Sequence, residues 1–133
     1  MTPHHRLPVR VYYEDTDVGG VVYYANYLKF IERSRSDWLR DLGVDQTAMK
    51  RDGLVFVVRH VTADYLSPGH FEDMLVVETD LVEIGGAKIV FDQRVRRGET
   101  LLFTARVVVV CVSLTDGRAL RLPPDLRARL SKI

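Results

Sequence analysis

The stretch Tyr12–Leu39, YYEDTDVGGVVYYANYLKFIERSRSDWL, joins an acidic turn to the one long helix that the sequence predicts. From about Ala25 to Leu42, apolar residues recur at spacings of three, four and seven, which is the pattern of an amphipathic helix. Gly43 stands where helices commonly end in a left-handed residue. Because the apolar face of this helix must be covered by another element, the helix decides how the rest of the chain packs.

Strands are predicted on both sides of this helix. A short strand is expected over Val9–Tyr13, and four longer segments rich in β-branched residues follow the helix. The four segments are Leu54–Tyr65, Leu75–Ile84, Ala87–Arg96 and Leu101–Leu114. The turns between them are short, with Gly85-Gly86 as a hairpin signal, and such turns require antiparallel neighbours. The sequence therefore predicts an α+β domain over residues 1–133, with about five antiparallel strands around one helix and a single helical turn in the tail after Asp116.

Composition excludes several classes of protein. The 133 residues are 47% hydrophobic, which is enough for a folded core, and the net charge is +1, from 19 basic and 18 acidic residues. This balance gives no general electrostatic reason to bind nucleic acid or an anionic membrane. Cys111 stands alone, so no internal disulfide forms and a reducing compartment is indicated. The longest apolar run, Val107–Val112, is too short to span a bilayer. We expect a soluble, cytoplasmic protein without a membrane segment.

Several residues with reactive or charged side chains are predicted to be structural. Cys111 lies in an apolar strand, where a free cysteine is usually inert core. Trp38 has helical spacing and is expected to pack. His4 and His5 are assigned to a mobile terminus. The segment Arg94–Gly98 is expected to form a solvated sheet edge, with a position beside a nucleotide site as the alternative.

The acidic turn does not fit a metal site. Asp15, Asp17 and Gly20 match positions 1, 3 and 6 of a calcium-binding EF-hand loop. Position 5, however, is Gly19, and position 12, the bidentate glutamate of the motif, is Asn26. The four histidines have no ligand-like spacing with the single cysteine. We therefore predict no metal.

Two interpretations of the turn stay open from the residues alone. Asp and Gly form turns, so the stretch is explained by local structure, with Asn26 as a helix cap or a brace. Alternatively, valines and tyrosines surround the acids, and a carboxylate among apolar groups can act as a base. A helix start offers unpaired amides that hold an oxyanion, and glycines allow close approach of a ligand. This second combination suits hydrolysis of an ester or thioester.

The same stretch closely resembles the signature of hot dog-fold acyl-CoA thioesterases. The nearest groups are the 4-hydroxybenzoyl-CoA thioesterase family and its Tol–Pal-associated branch. Their pattern is Asp-x-Asp-x-x-Gly, then aromatic residues, Asn-Tyr and a long helix. Here the matching residues are Asp15, Asp17, Gly20, Tyr23, Asn26 and Tyr27. The segments DYLSPGHFEDML and DGRALRLPPDL also resemble family landmarks, so the similarity covers nearly the whole chain.

The resemblance implies a hot dog fold and hydrolysis of acyl-CoA by the second acid, Asp17, as nucleophile or as general base on water. It places oxyanion donors around Tyr23 and Tyr24, and the substrate beside Gly20 and Asn26. It implies a homodimer or homotetramer, in which paired sheets build the site and Leu54–Tyr65 forms part of the opposite wall. No cofactor is expected, since coenzyme A is part of the substrate.

The chain departs from the family pattern at two places. Many members of the Tol–Pal-associated branch have a histidine that is thought to assist catalysis where this chain has Tyr24, and a tyrosine is a poor base at neutral pH. Tyr24 is therefore expected to act in the catalytic site by donating a hydrogen bond or by lining the pocket, with its backbone amide available in either case. Relatives often carry basic residues at the turn that here reads Gly85-Gly86. Lys88 and Arg118 are the candidates in this chain to bind the phosphates of coenzyme A.

Two rival functions are kept. One is a hydratase or dehydratase acting on acyl thioesters, for which the junction lacks the usual histidine. The other is a protein that binds acyl-CoA without catalysis, which Tyr24 would favour. Release of free thiol separates hydrolysis from both.

Overall fold

A computed structural model describes residues 2–133 and shows five strands and three α-helices in that range. The elements, in chain order, are β1 (His5–Arg10), a 3-10 turn (Tyr13–Asp15), α1 (Asn26–Asp41), α2 (Gln46–Arg51), β2 (Leu54–Tyr65), β3 (Met74–Ile84), β4 (Lys88–Arg97), β5 (Thr100–Ser113) and α3 (Pro124–Leu130). The strands form one antiparallel sheet in the order β1-β3-β4-β5-β2. The predicted α+β hot dog architecture is confirmed.

Helix α1 lies on the inner face of this sheet. The ring of Tyr27 stacks on Phe103 with 5.0 Å between centroids, and Trp38 meets Phe91 edge-on at 6.2 Å. Phe30 and its neighbours on the same face are buried. Each large apolar side chain buried in this way stabilises the fold by roughly 1.5–3 kcal/mol. The helix ends at Asp41, and Gly43 two residues later has a φ of 84°, which favours glycine.

A buried network of polar side chains joins α1 to the sheet and fixes the helix along its axis. The hydroxyl groups of Ser34 and Thr79 are 2.8 Å apart. Gln93 Nε2 donates to Thr79 Oγ1 and to the carbonyl of Ile31, each at 2.9 Å, and Arg35 Nη1 donates to Gln93 Oε1 at 2.8 Å. Since buried polar groups must find partners, sliding the helix would leave several of them unpaired.

The first strand begins earlier than predicted. It runs over His5–Arg10 and not over Val9–Tyr13, because the alternation that packs on the core starts before Pro8. An edge strand tolerates this proline. The assignment of His4 and His5 to a mobile terminus is also wrong. The amide of His4 donates to Asp80 Oδ1 at 3.0 Å, and His5 pairs in register with Thr79.

The basic segment Arg94–Gly98 is not a sheet edge, because β4 lies between β3 and β5. Arg94 and Arg96 instead form ion pairs with Glu78 across the outer face, at 3.1 and 2.9 Å. Burial alone would raise the pKa of Glu78, but the hydrogen bonds from both arginines outweigh it and lower that pKa. The arginines are therefore partners of carboxylates on a central pair of strands.

The remaining predictions concern the tail and the core. Helix α2 was not predicted; its start is capped by Asp45, which accepts from the amide of Ala48 at 3.0 Å. The tail forms two helical turns over Pro124–Leu130, not one. Cys111 is fully buried, as predicted, and burial raises the pKa of its thiol. No helix within residues 2–133 is both long and apolar enough to cross a membrane.

Candidate active site

The acidic stretch folds into a tight loop with Asp17 at its start. The amide of Asp17 donates to the carbonyl of Val21 at 2.9 Å, and the amide of Gly20 donates to the carbonyl of Asp17 at 3.0 Å. Gly20 has a φ of 77°, a conformation that costs other residues roughly 1–2 kcal/mol. Asp17 Oδ1 accepts the amide of Gly19 at 2.9 Å. The loop thus orients one carboxylate oxygen and leaves the other without a partner among residues 2–133.

The tyrosines around this loop do not enclose the acid within one chain. Asp17 is exposed, and Tyr13 and Tyr24 are 80% and 62% exposed. The expectation of an apolar surrounding for the carboxylate is therefore not met by a single subunit. The exposed rings of Tyr23 and Tyr24 contact each other, with 5.0 Å between centroids.

The start of α1 holds amides that have no acceptor among residues 2–133. The amide of Tyr23 is occupied, because it donates to the carbonyl of Asp15 at 2.9 Å. The amides of Tyr24 and Ala25 have no hydrogen-bond acceptor among residues 2–133. Unpaired amides at a helix start carry partial positive charge and suit the binding of an oxyanion. Oxyanion donors were predicted around Tyr23 and Tyr24. Among residues 2–133, the structure leaves the amide of Tyr24 without an acceptor and adds the amide of Ala25 as a second candidate donor.

Asn26 braces the loop against the helix. Its Nδ2 donates to the carbonyl of Asp15 at 2.8 Å, and its side chain is buried. Asn26 is the first helical residue, and Ala25 occupies the N-cap position, so the N-cap interpretation of Asn26 is wrong and the bracing one is confirmed. The carboxylate of Asp15 stabilises the 3-10 turn itself, since its Oδ2 accepts the amide of Tyr12 at 2.8 Å.

Two supporting residues were missed by sequence reasoning. Tyr65, at the end of β2, donates its hydroxyl to the carbonyl of Tyr24 at 2.9 Å. Burial and the neighbouring Tyr24 raise the pKa of Tyr65. Gly69 accepts the amide of Val22 at 2.8 Å and donates to the hydroxyl of Tyr27 at 3.0 Å. The sequence SPG predicts only a turn there, because contacts across 40 residues leave no local signal.

Lys88 and Arg118 are not gathered with Asp17 in one chain. Lys88 lies opposite Val110, and Arg118 follows the far end of β5. The Asp17 loop lies at the other end of that strand, where α1 begins and packs on Phe103. Val110 lies seven positions after Phe103 along β5, which corresponds to about 23 Å. The two basic residues therefore belong to the opposite end of the sheet.

One group of side chains brings potential metal ligands together, although it lies at the other end of α1. His5 Nε2 is 3.0 Å from Asp37 Oδ2 and 3.8 Å from a carboxylate oxygen of Asp41. The spacing in sequence gave no sign of this group. His5 Nδ1 is buried and has no hydrogen-bond partner among residues 2–133, whereas a metal-bound histidine normally donates from its second nitrogen. Burial lowers the pKa of His5 against the opposing carboxylates, so the geometry fits a neutral imidazole donating to Asp37.

Comparison with known proteins places this geometry among thioesterases. The sequence profile of a family described as the thioesterase-like superfamily matches residues 11–130. The acyl-CoA thioesterase YbgC of Haemophilus influenzae is 45% identical over 123 residues, which are 92% of this chain and 90% of that protein. The acyl-CoA thioester hydrolase YbgC of Escherichia coli O6:H1 is 43% identical over 128 residues, 96% of each chain.

The fold is shared with solved structures. The crystal structure of a probable thioesterase from Bartonella henselae superimposes with a TM-score of 0.84 at 38% sequence identity. The match covers 90% of this chain and 98% of that one. The two proteins therefore share one fold over 90% of this chain.

Proposed function

Because the chain belongs to the thioesterase-like superfamily, we propose that it hydrolyses acyl-CoA thioesters to a free acid and coenzyme A. Relatives that are 43–45% identical over nearly the whole chain are named for this activity. The observation that carries the proposal is the pairing of a carboxylate with bare amides. Asp17 lies on a loop that Asp15 ties to the start of α1, where the amides of Tyr24 and Ala25 are unpaired.

This pairing supports a mechanism in two parts. The carbonyl oxygen of the thioester binds at the amides of Tyr24 and Ala25, which stabilise the negative charge that develops on it. Asp17 either takes a proton from the attacking water or attacks the acyl carbon itself, forming an anhydride that water then opens. In both routes the bond from carbon to sulfur breaks, and the thiolate of coenzyme A leaves and is protonated.

A second copy of the chain completes the site in this proposal. Strand β2 is an edge strand of 12 residues, and Val57, Val58 and Val61 on it are 37–49% exposed. Long apolar edges favour pairing with another strand. In an antiparallel pair of β2 strands from two copies, the sheet end that carries Lys88 and Arg118 in one copy lies beside the sheet end that carries the Asp17 loop in the other copy. Lys88 and Arg118 of one subunit then face the coenzyme A bound at Asp17 of its partner.

The test is thiol release measured over a graded series of acyl-CoA substrates. Asp17→Asn keeps the shape of the side chain but removes the charge, and the rate is expected to fall by about 100-fold or more. Glu14→Gln is the matched control, because Glu14 is an exposed acid in the same stretch without a hydrogen bond among residues 2–133. Its rate is expected to equal that of wild type.

Two results would contradict the proposal. A folded Asp17→Asn variant that releases thiol at the wild-type rate would show that Asp17 takes no part in the hydrolysis. If the wild-type protein binds acyl-CoA tightly but releases no thiol across the series, the remaining functions are acyl-CoA binding without catalysis and a hydratase or dehydratase reaction.

A further inference from the structure

A cavity of about 170 Å³ lies between α1 and the inner face of the sheet, away from the Asp17 loop. Its walls are mostly apolar and come from three strands, with Phe56, Val57, Ile89, Phe91 and Val109 among them. Its polar side is formed by α1, which contributes Arg35 together with Glu32 and Ser36. A cationic side chain therefore lies at one side of an otherwise apolar cavity.

Arg35 is a buried cation without an ion-pair partner. Its residue is 8% exposed, and no carboxylate among residues 2–133 lies within 4.0 Å of its guanidinium. Burial lowers the pKa of Arg35 and Glu32 opposes this effect, but an arginine stays charged at neutral pH. A buried charge without a partner is costly, so binding an anion there would be favourable.

The guanidinium also presents a free edge of the right shape. Nη1 donates to Gln93 Oε1, while Nε and Nη2 have no acceptor within the described chain and are not sealed from solvent. These two nitrogens form the edge that binds a carboxylate through two parallel hydrogen bonds. The same edge is used elsewhere in this protein, where Arg106 Nε and Nη2 donate to the two oxygens of Asp92 at 2.7 and 2.9 Å.

Glu32 does not occupy this edge. It is an exposed residue, its Oε2 accepts the hydroxyl of Ser36 at 2.5 Å, and it is more than 4.0 Å from the guanidinium. Its charge is therefore largely in water, where screening weakens its effect on a group inside the cavity. Arg35 therefore gives the side of the cavity formed by α1 a positive charge without an ion-pair partner among residues 2–133.

We propose that this cavity binds a carboxylate carried on a small apolar body, with Arg35 as the group that recognises the carboxylate. A cavity of about 150 Å³ with apolar walls holds one benzene ring, so the body is a single ring or a short chain. The carboxylate has two sources: the far end of an acyl group bound as thioester, or a free acid. The first source rests on the proposed hydrolysis, and the second does not.

The position of the cavity connects it to the reaction. Val57 and Val58 line it and lie on the exposed edge strand β2. In a dimer paired through β2, this part of the strand lies opposite the half of the other β2 that leads to Tyr65. Since Tyr65 contacts Tyr24, the Asp17 loop of the second copy is then near the mouth of the cavity. An acyl chain attached at that loop has a route toward Arg35.

The first experiment measures binding of free acids by calorimetry. Benzoate is expected to bind wild-type protein at least about tenfold more tightly than benzamide, as hydrogen bonds to a charged group imply. Arg35→Gln is expected to abolish this preference. Arg106→Gln is the matched control and retains it, because Arg106 is exposed and already paired with Asp92.

A measurement on wild-type protein guards against a variant that fails to fold. Nuclear Overhauser contacts are expected between the ring protons of benzoate and the side chains of Phe56 and Ile89, which line the cavity. Equal affinity for benzoate and benzamide together with no such contacts overturns the proposal.

The second experiment identifies the source of the carboxylate. It compares kcat/KM for adipoyl-CoA and hexanoyl-CoA, which have six-carbon acyl groups and differ in the terminal carboxylate. If the far end of the acyl group binds Arg35, the kcat/KM for adipoyl-CoA divided by that for hexanoyl-CoA falls about tenfold or more in Arg35→Gln and is unchanged in Arg106→Gln. Benzoate binding that depends on Arg35 with an unchanged ratio supports the free acid as ligand. If neither effect is observed while hexanoyl-CoA is still hydrolysed, the inference is overturned and the proposed function stands. If benzoate binds but no acyl-CoA releases thiol, the proposed function is contradicted and the inference stands.

Discussion

At the scale of single residues, Tyr24 combines two separable contributions. Its side chain is exposed, and the hydroxyl has no hydrogen-bond partner among residues 2–133. Its backbone does more, because the amide is unpaired at the helix start and the carbonyl accepts the hydroxyl of Tyr65. The amide is independent of the side chain, so changing the side chain leaves this donor in place.

Tyr24→Phe tests this separation. We expect thiol release close to the wild-type rate, because the variant keeps the amide and the ring. Tyr65→Phe is the contrasting variant: it deprives the Tyr24 carbonyl of its donor and is expected to lower the free energy of unfolding by about 1 kcal/mol in urea denaturation. A large loss of rate in Tyr24→Phe at unchanged stability would instead assign the hydroxyl to the chemistry.

At the scale of elements, the loop between β2 and β3 holds the active-site junction through Gly69. A β-carbon at Gly69 would lie 3.1 Å from Val22 Cγ2 and 3.2 Å from the hydroxyl of Tyr27. Both neighbours are buried, and Gly69 hydrogen-bonds to each of these residues. The glycine is needed here for close approach, and not for an unusual φ.

Gly69→Ala is expected to destabilise the protein by roughly 1–3 kcal/mol, as overpacking in a core does. The midpoint of urea denaturation measures this loss. Gly86→Ala is the matched control, because its new methyl group would only meet Arg121 Nη1 at 3.8 Å, an ordinary contact. Equal stability of the two variants would show that the junction yields easily and that Gly69 does not hold it.

At the scale of the whole molecule, the exposed edge of β2 is the surface that the proposed dimer buries. Val61 is 37% exposed near the middle of this strand, where two antiparallel copies would meet close to Arg59 of the second copy. A lysine there places like charges opposite each other across the pair, which is destabilising.

Val61→Lys is therefore expected to shift the protein toward monomers in sedimentation velocity and to reduce thiol release in parallel. Val82→Lys is the control, since Val82 is 44% exposed but lies on β3, away from this edge. It is expected to sediment and react like wild type. A stable monomer with full activity would contradict the shared site.

Prediction from the sequence succeeded where the signal is local or periodic. Helix α1, the strand Leu54–Tyr65 and the burial of Cys111 follow from spacing and composition, and the structure confirms them. It failed where contacts between strands distant in sequence override the local pattern of charged residues. The segment Arg94–Gly98 has the charge of an edge strand but is central, because Glu78 and Asp80 on β3 supply partners that no local window contains.

The sequence by itself determined the antiparallel sheet around one helix and the loop that carries Asp17, since hydrophobic period, short turns and the Asp-x-Asp-x-x-Gly pattern are properties of neighbouring residues. Only the tertiary structure decided which amides at the helix start stay free, because Asp15 occupies that of Tyr23. It alone also decided that Arg35 is buried with no carboxylate partner in the described part of the chain, and that Lys88 lies at the other end of the sheet from Asp17. Such facts depend on contacts between distant segments, and chain order does not encode them locally.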